Sequence, residues 1–148
     1  MMTRRLEQVE GVSALEVGVD HDASAEMVLA LTQAAYGEYP VIMRLPGERA
    51  IEMAPVAIKA EATAISLAPP RGMYPAGKGE LVHGRLYGPA FLPVALRTVH
   101  ELSQMSIPTV GAGGLYSQTQ IDALLAMGAF AVQLDSVLWR GAGYRLFT

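Results

Sequence analysis

Ile107-Pro108-Thr109-Val110-Gly111-Ala112-Gly113-Gly114-Leu115 is the stretch on which the fold turns. A β-branched run ends in four small residues, and a helix is predicted to begin shortly afterwards at Ser117-Gln118. Small residues at a strand's end let the backbone approach an anion, which free N–H groups and the helix dipole then stabilise. The same glycines also suit a tight strand-to-helix turn with no ligand at all. Downstream, Gln118 to Met127 reads as a helix and Phe130 to Leu134 as a strand. Gln133-Leu134-Asp135-Ser136 then closes a second loop at the same rim. Two such loops on either side of one helix have the spacing of a βαβ phosphate unit. In many (β/α) barrels the loops after strands seven and eight grip a phosphate in this way.

Towards the N-terminus the alternation continues. Val12 to Val19, Pro40 to Leu45 and Thr63 to Leu67 read as strands. Ser24 is placed to cap a helix from Ala25 to Tyr36, with Gly37 as its stop and Met27, Leu31, Ala34 and Ala35 along one face. Glu48 to Glu61 reads as helical, with Pro55 expected to kink or split it. Ala68 to Gly88 reads as irregular, holding Pro69, Pro70, Pro75 and five glycines, and gives no hairpin signal. Loops of that length inside compact domains are usually functional or mobile. Pro89 to Met105 is a further helix, and Val137 to Thr148 a short helical turn and tail. The class is therefore α/β, with five βα units in a parallel sheet joined by right-handed crossovers. An open doubly wound sheet, flavodoxin-like in outline, and part of a barrel both fit. A whole eight-stranded barrel takes about 250 residues, so 148 residues suffice for a part, read as a single domain over 1–148.

Composition narrows the function. Apolar residues make up 51% and charged residues 17%, which supports a packed core and rules out a disordered chain. A net charge of −3 with scattered arginines, the only adjacent pair being Arg4-Arg5, argues against nucleic acid as the partner. The absence of cysteine excludes disulfides, Cys-based zinc sites and a Cys nucleophile. No apolar run reaches the length of a membrane span, and the start shows no signal-peptide core, so the expected address is cytoplasmic.

Gly84-Arg85-Leu86-Tyr87-Gly88-Pro89-Ala90 resembles the Gly-Gly-Leu-Ser-Gly-Pro-Ala stretch of dihydroorotate dehydrogenases. The likeness continues through Ile107-Pro108 and the glycine-rich turn into Ala126-Met127-Gly128-Ala129-Phe130-Ala131-Val132-Gln133. Pro40 to Leu45 resembles that family's barrel strand five more weakly. The resemblance implies units equivalent to about strands 4–8 of a TIM barrel, a place in pyrimidine biosynthesis, and FMN lying across the barrel mouth. Arg44, Gly88, Gly111, Gly113, Gly114, Asp135 and Ser136 then stand at the cofactor positions. Several of them depart from the family's pattern. Asp135-Ser136 replaces Gly-Thr, and a carboxylate beside a phosphate is repulsive. Arg44 replaces a lysine, keeping charge but not shape. Val19 falls where the family has its catalytic Cys or Ser base, Leu67-Ala68-Pro69 replaces a strand-six asparagine, and Tyr87 replaces a serine beside the ring.

Other polar residues are weaker candidates. Asp20, His21 and Asp22 follow the first strand, where a general base or metal pair is conceivable, although a polar turn before a helix cap is the favoured account of them. No metal site is predicted, since no third ligand stands at a suitable spacing. His83, in the long glycine-rich loop, is a minor candidate for a ligand contact, whereas His100 beside Glu101 reads as a surface residue. Glu16, if it faces the barrel centre, requires a partner, and Arg44 on the neighbouring strand is the natural one. Trp139 and Tyr144 read as covers for exposed core.

Five strands cut from a barrel leave two open edges, which invite pairing with a second copy or a partner chain that completes the barrel. Three functions follow. The chain is a dihydroorotate dehydrogenase-like protein keeping an FMN or phosphate half-site without turnover of its own. Alternatively it is a non-catalytic assembly subunit that binds no flavin. The third reading is another phosphate-handling enzyme that uses Asp20 or His21, Arg44 being the remaining weak catalytic candidate.

Overall fold

The computed structural model describes Leu6 and residues 9–139. Its elements are β1 (Leu15–Gly18), α1 (Ala25–Ala35), β2 (Val41–Pro46), α2 (Ala50–Lys59), β3 (Ala64–Ala68), β4 (Arg71–Gly77), β5 (Glu80–Arg85), α3 (Leu92–Gln104), β6 (Thr109–Ala112), α4 (Gln118–Ala126), β7 (Ala131–Gln133) and α5 (Ser136–Trp139). A 3-10 turn, Pro89–Phe91, leads into α3. Five strands form one parallel sheet in the order β1-β2-β3-β6-β7. That order follows the chain with no reversal, whereas a doubly wound sheet reverses at its switch point. Right-handed crossovers between strands laid down in one direction place every helix on the same face. The sheet is therefore an open arc of a barrel. The flavodoxin-like outline does not apply.

Alternation along β2 and β3 divides the two faces. Val41, Met43, Leu45, Ile65 and Leu67 are buried in the core with Val28 of α1, Met53 of α2, Val99 and Leu102 of α3, and Leu124 of α4. Burying a side chain of this size contributes about 1.5–3 kcal/mol, so this layer holds the arc together. The intervening residues Arg44 and Ser66 pair across the two strands on the opposite, inner face.

Local chemistry explains the helix ends. The Ser24 hydroxyl accepts the Met27 N–H at 3.2 Å, capping α1. The same hydroxyl, followed by the Glu26 backbone N–H, holds the Glu26 carboxyl below its usual pKa. The buried face of α1 is Val28, Thr32 and Ala35. Met27 and Leu31 stand exposed, which corrects the apolar face expected from the sequence. Thr32 tolerates burial because its hydroxyl donates to the Val28 carbonyl at 2.7 Å. Helix α2 runs through Pro55 without splitting. Pro55 faces solvent, where the carbonyl it leaves unbonded meets water.

The segment expected to be irregular contains an antiparallel hairpin of β4 and β5. Lys78 and Gly79, at φ 51° and 79°, form the two-residue turn between the paired Gly77 and Glu80. Positive φ at both central positions matches the right-handed strand twist. Pro75 is accommodated beside a bulge between Pro75 and Gly77. The hairpin is tied to the arc by an ion pair from Arg71 Nη2 to Asp20 Oδ1 at 2.8 Å. At the other end of the chain, Val137 in α5 is buried but Trp139 is 87% exposed, so Trp139 covers no core. Tyr144, the rest of the predicted C-terminal tail and the Arg4-Arg5 pair lie outside the described residues.

Truncation of a fully buried side chain tests the helix-side layer. Leu102→Ala is expected to lose about 2–5 kcal/mol of stability, read as a lower urea midpoint at an unchanged slope.

Candidate functional site

A cavity of about 410 Å³ opens at the C-terminal ends of the strands. That volume is within the range of small-molecule sites, roughly 300–1,000 Å³. Parallel strands bring their C-terminal ends to one rim, so residues far apart in sequence converge there. From β2 and its loop come Arg44, Gly47 and Glu48, and from the end of β3 come Leu67, Ala68, Pro69 and Pro70. Leu86, Tyr87 and Gly88 arrive after the hairpin, and Phe91, Val94, Ala95 and Thr98 from the start of α3. Ala112 to Leu115 and then Gln133, Asp135 and Ser136 complete the wall.

Six of the positions singled out from sequence, Arg44, Gly88, Gly113, Gly114, Asp135 and Ser136, thus line one cavity. Gly111 does not. A Cβ there would sit 3.2 Å from both the Ala129 Cβ and the Leu124 Cδ1. Gly111 lies on the helix face of β6, and its size serves the packing of α4. Asp20 and His21 are exposed outside the cavity, Asp20 being engaged by Arg71. His83 sits exposed on β5, also away from the cavity. Val19, at the position of the family's base, packs against the hydrophobic core. Among the described residues no group of three or more His, Asp or Glu side chains could hold a metal ion.

The glycine-rich turn has a packing cause of its own. Gly114 has φ 74°, and a Cβ there would lie 2.5 Å from the Leu92 backbone nitrogen. The start of α3 therefore docks directly on this turn, and any side chain would push it away. Gly113 is also at positive φ, 110°, but a Cβ there would make only ordinary contact with Ala95. Ser136 is held by a hydrogen bond with the Tyr116 hydroxyl.

Below the mouth, the inner face carries a polar network. Arg44 Nη1 lies 3.6 Å from Glu16 Oε2, the partnership expected from sequence. The Ser66 hydroxyl donates to Glu16 Oε1 at 2.6 Å, so three adjacent strands share one carboxylate. Among the described residues two buried side-chain atoms have no partner, the Arg44 Nε and the Gln133 Oε1, and both side chains line the cavity. A buried unpaired polar group costs about 1–3 kcal/mol. The sequence reading missed Gln133, Glu48 and Ser66. Gln133 was detectable as the polar residue two along from Ala131 on a short apolar strand, and so on the same face.

These observations test the fit of FMN. Apolar walls and the two unpaired atoms suit a planar ring with a polar edge. The phosphate fits poorly, because Asp135 and Glu48 line the same cavity and Arg44, the one lining cation among the described residues, already pairs with Glu16.

No family model matches the chain. Among curated relatives, the catalytic subunit of dihydroorotate dehydrogenase B (NAD(+)) from Bacillus pumilus is 32% identical over 156 residues, covering 91% of this chain and 50% of that protein. The same subunit from Geotalea daltonii is 45% identical over 56 residues, covering 37% of this chain and 18% of that protein. A crystal structure of DHODH from Eimeria tenella in complex with ferulenol is similar in fold, with a TM-score of 0.72 over 95% of this chain and 49% of that chain. Sequence identity there is 12%, so the match speaks for the fold alone. The chain spans half the length of the Bacillus pumilus relative.

Gly114→Ala is expected to lower the melting temperature by several degrees whether or not a ligand is present, through the Leu92 clash and the left-handed backbone. A thermal melt monitored by circular dichroism checks it.

Proposed function

We propose, from the premise that this chain is a relative of the dihydroorotate dehydrogenases over 91% of its length, that it keeps a flavin-type half-site and does not turn over by itself. The observation that carries this reading is the convergence of Arg44, Gly88, Gly113, Gly114, Asp135 and Ser136 on one cavity at the strand ends. Bound flavin would supply redox chemistry there, and any activity would be that of an FMN-dependent oxidoreductase of the family's type. Arg44 and Gln133 would meet the ring's polar edge, and the apolar walls would exclude water from it. The missing part is proton transfer. Val19 has no group to accept a proton, and Asp20 and His21 lie outside the cavity. A phosphate-bearing small molecule is the other ligand this reading admits. A second copy, or a partner chain, would supply strands to the free edges of β1 and β7.

A second reading has its own support. Tyr87 and Asp135 line the cavity, and Glu16 occupies Arg44, as in a mouth given over to the chain's own side chains. The chain would then be a non-catalytic assembly subunit that binds no flavin. No described helix is long and apolar enough to cross a membrane.

The visible spectrum of the purified protein separates the two readings, taken as isolated and again after incubation with FMN or riboflavin and desalting. The half-site reading expects a retained flavin band that dihydroorotate does not bleach, unchanged in Asp20→Ala and His21→Ala. A colourless protein that retains neither flavin sinks it in favour of the assembly role.

A further inference from the structure

We infer that the cavity selects an uncharged heterocycle with an amide edge, so that the chain takes phosphate-free flavin in preference to FMN. This rests on reading the cavity as a flavin-type site and adds which flavin it accepts. The charged side chains lining it are Arg44, Glu48 and Asp135. Arg44 is balanced by Glu16 at 3.6 Å, and Glu16 is fixed in turn by the Ser66 hydroxyl. Among the described residues the lining therefore presents two carboxylates against one cation, which Glu16 already partners. A phosphate monoester brings a charge of about −1.5 to −2 at neutral pH into that surrounding.

The start of α3 offers no backbone compensation. The Leu92 N–H at the start of α3 is bonded to the Pro89 carbonyl, and Pro93 beside it has no N–H to give. Gly114 lacks a side chain because Leu92 packs on it, which removes the need to explain that glycine by an anion.

The ring end is arranged differently. Arg44 Nε is a buried donor and Gln133 Oε1 a buried acceptor, both unpaired. A ligand edge with a carbonyl next to an N–H is complementary in kind to these two lining side chains, and Leu67, Phe91, Val94 and Leu115 line the space for its apolar body. Uncharged cyclic imides have this edge, and the flavin ring is one of them. The phosphate is the part of FMN that the cavity opposes.

The test is a fluorescence titration of the whole chain with riboflavin and with FMN at low salt. Riboflavin is expected to bind at least about tenfold tighter, and added salt should narrow the gap by screening the carboxylates. Asp135→Asn, checked for an unchanged thermal melt, should raise FMN affinity towards that of riboflavin and leave riboflavin itself nearly unaffected. Gln133→Ala should weaken both flavins alike. FMN binding as tightly as riboflavin, or tighter, overturns the charge selection while leaving the cavity reading intact. Binding of neither flavin, to the unmodified protein or to Asp135→Asn, overturns both.

Discussion

The structure depends on the two-residue alternation of β2 and β3. In that register Met43, Leu45, Ile65 and Leu67 all face the helices, and Arg44 and Ser66 pair on the other side. A slip of one residue would place Arg44 under α2 and Met43 on the inner face, so the register is fixed by the cost of burying charge. With the register fixed, Arg44 can reach Glu16 on β1, and Ser66 can donate to the same carboxylate. The helix layer and the polar inner face are two results of one constraint.

The arc was largely legible in the sequence because its strands are marked by short β-branched and apolar runs, and the helices between them by caps and glycine stops. Ser24 is the clearest case, since a side-chain oxygen three residues before a helical N–H is a local signal that needs no tertiary context. The hairpin was not legible. Its turn is Lys78-Gly79 rather than Asn-Gly, Pro75 interrupts its first strand, and both strands are largely exposed, so no alternation of apolar and polar residues marks them. The face of α1 was misread for a related reason. Met27 and Leu31 are larger than Thr32, yet which stripe is buried is set by how the helix lies over β1 and β2, and hydropathy alone does not contain that information.

The site was legible as a list of positions but not as an electrostatic environment. Gly88, Gly113, Gly114, Asp135 and Ser136 do meet at one cavity. Gly111 and Gly114 nevertheless owe their small size to α4 and α3, causes that a run of glycines cannot distinguish from an anion cradle. The pairing of Glu16 with Arg44 was foreseeable from neighbouring strands. Its consequence, that the one lining cation among the described residues is already paired, depends on Glu48 and Asp135 sharing the same wall.

The β4–β5 hairpin bears on how such a chain changes over time. Its strands bond to one another, its two-residue turn sets its own register, and among the described residues one ion pair, from Arg71 to Asp20, links it to the arc. Strands β3 and β6, which flank it in sequence, pair directly with each other. A segment so placed behaves as a cassette. It can drift, lengthen or be exchanged between descendants without refolding the frame that carries it, and new specificity can be tried at its tip while the core stays as it was.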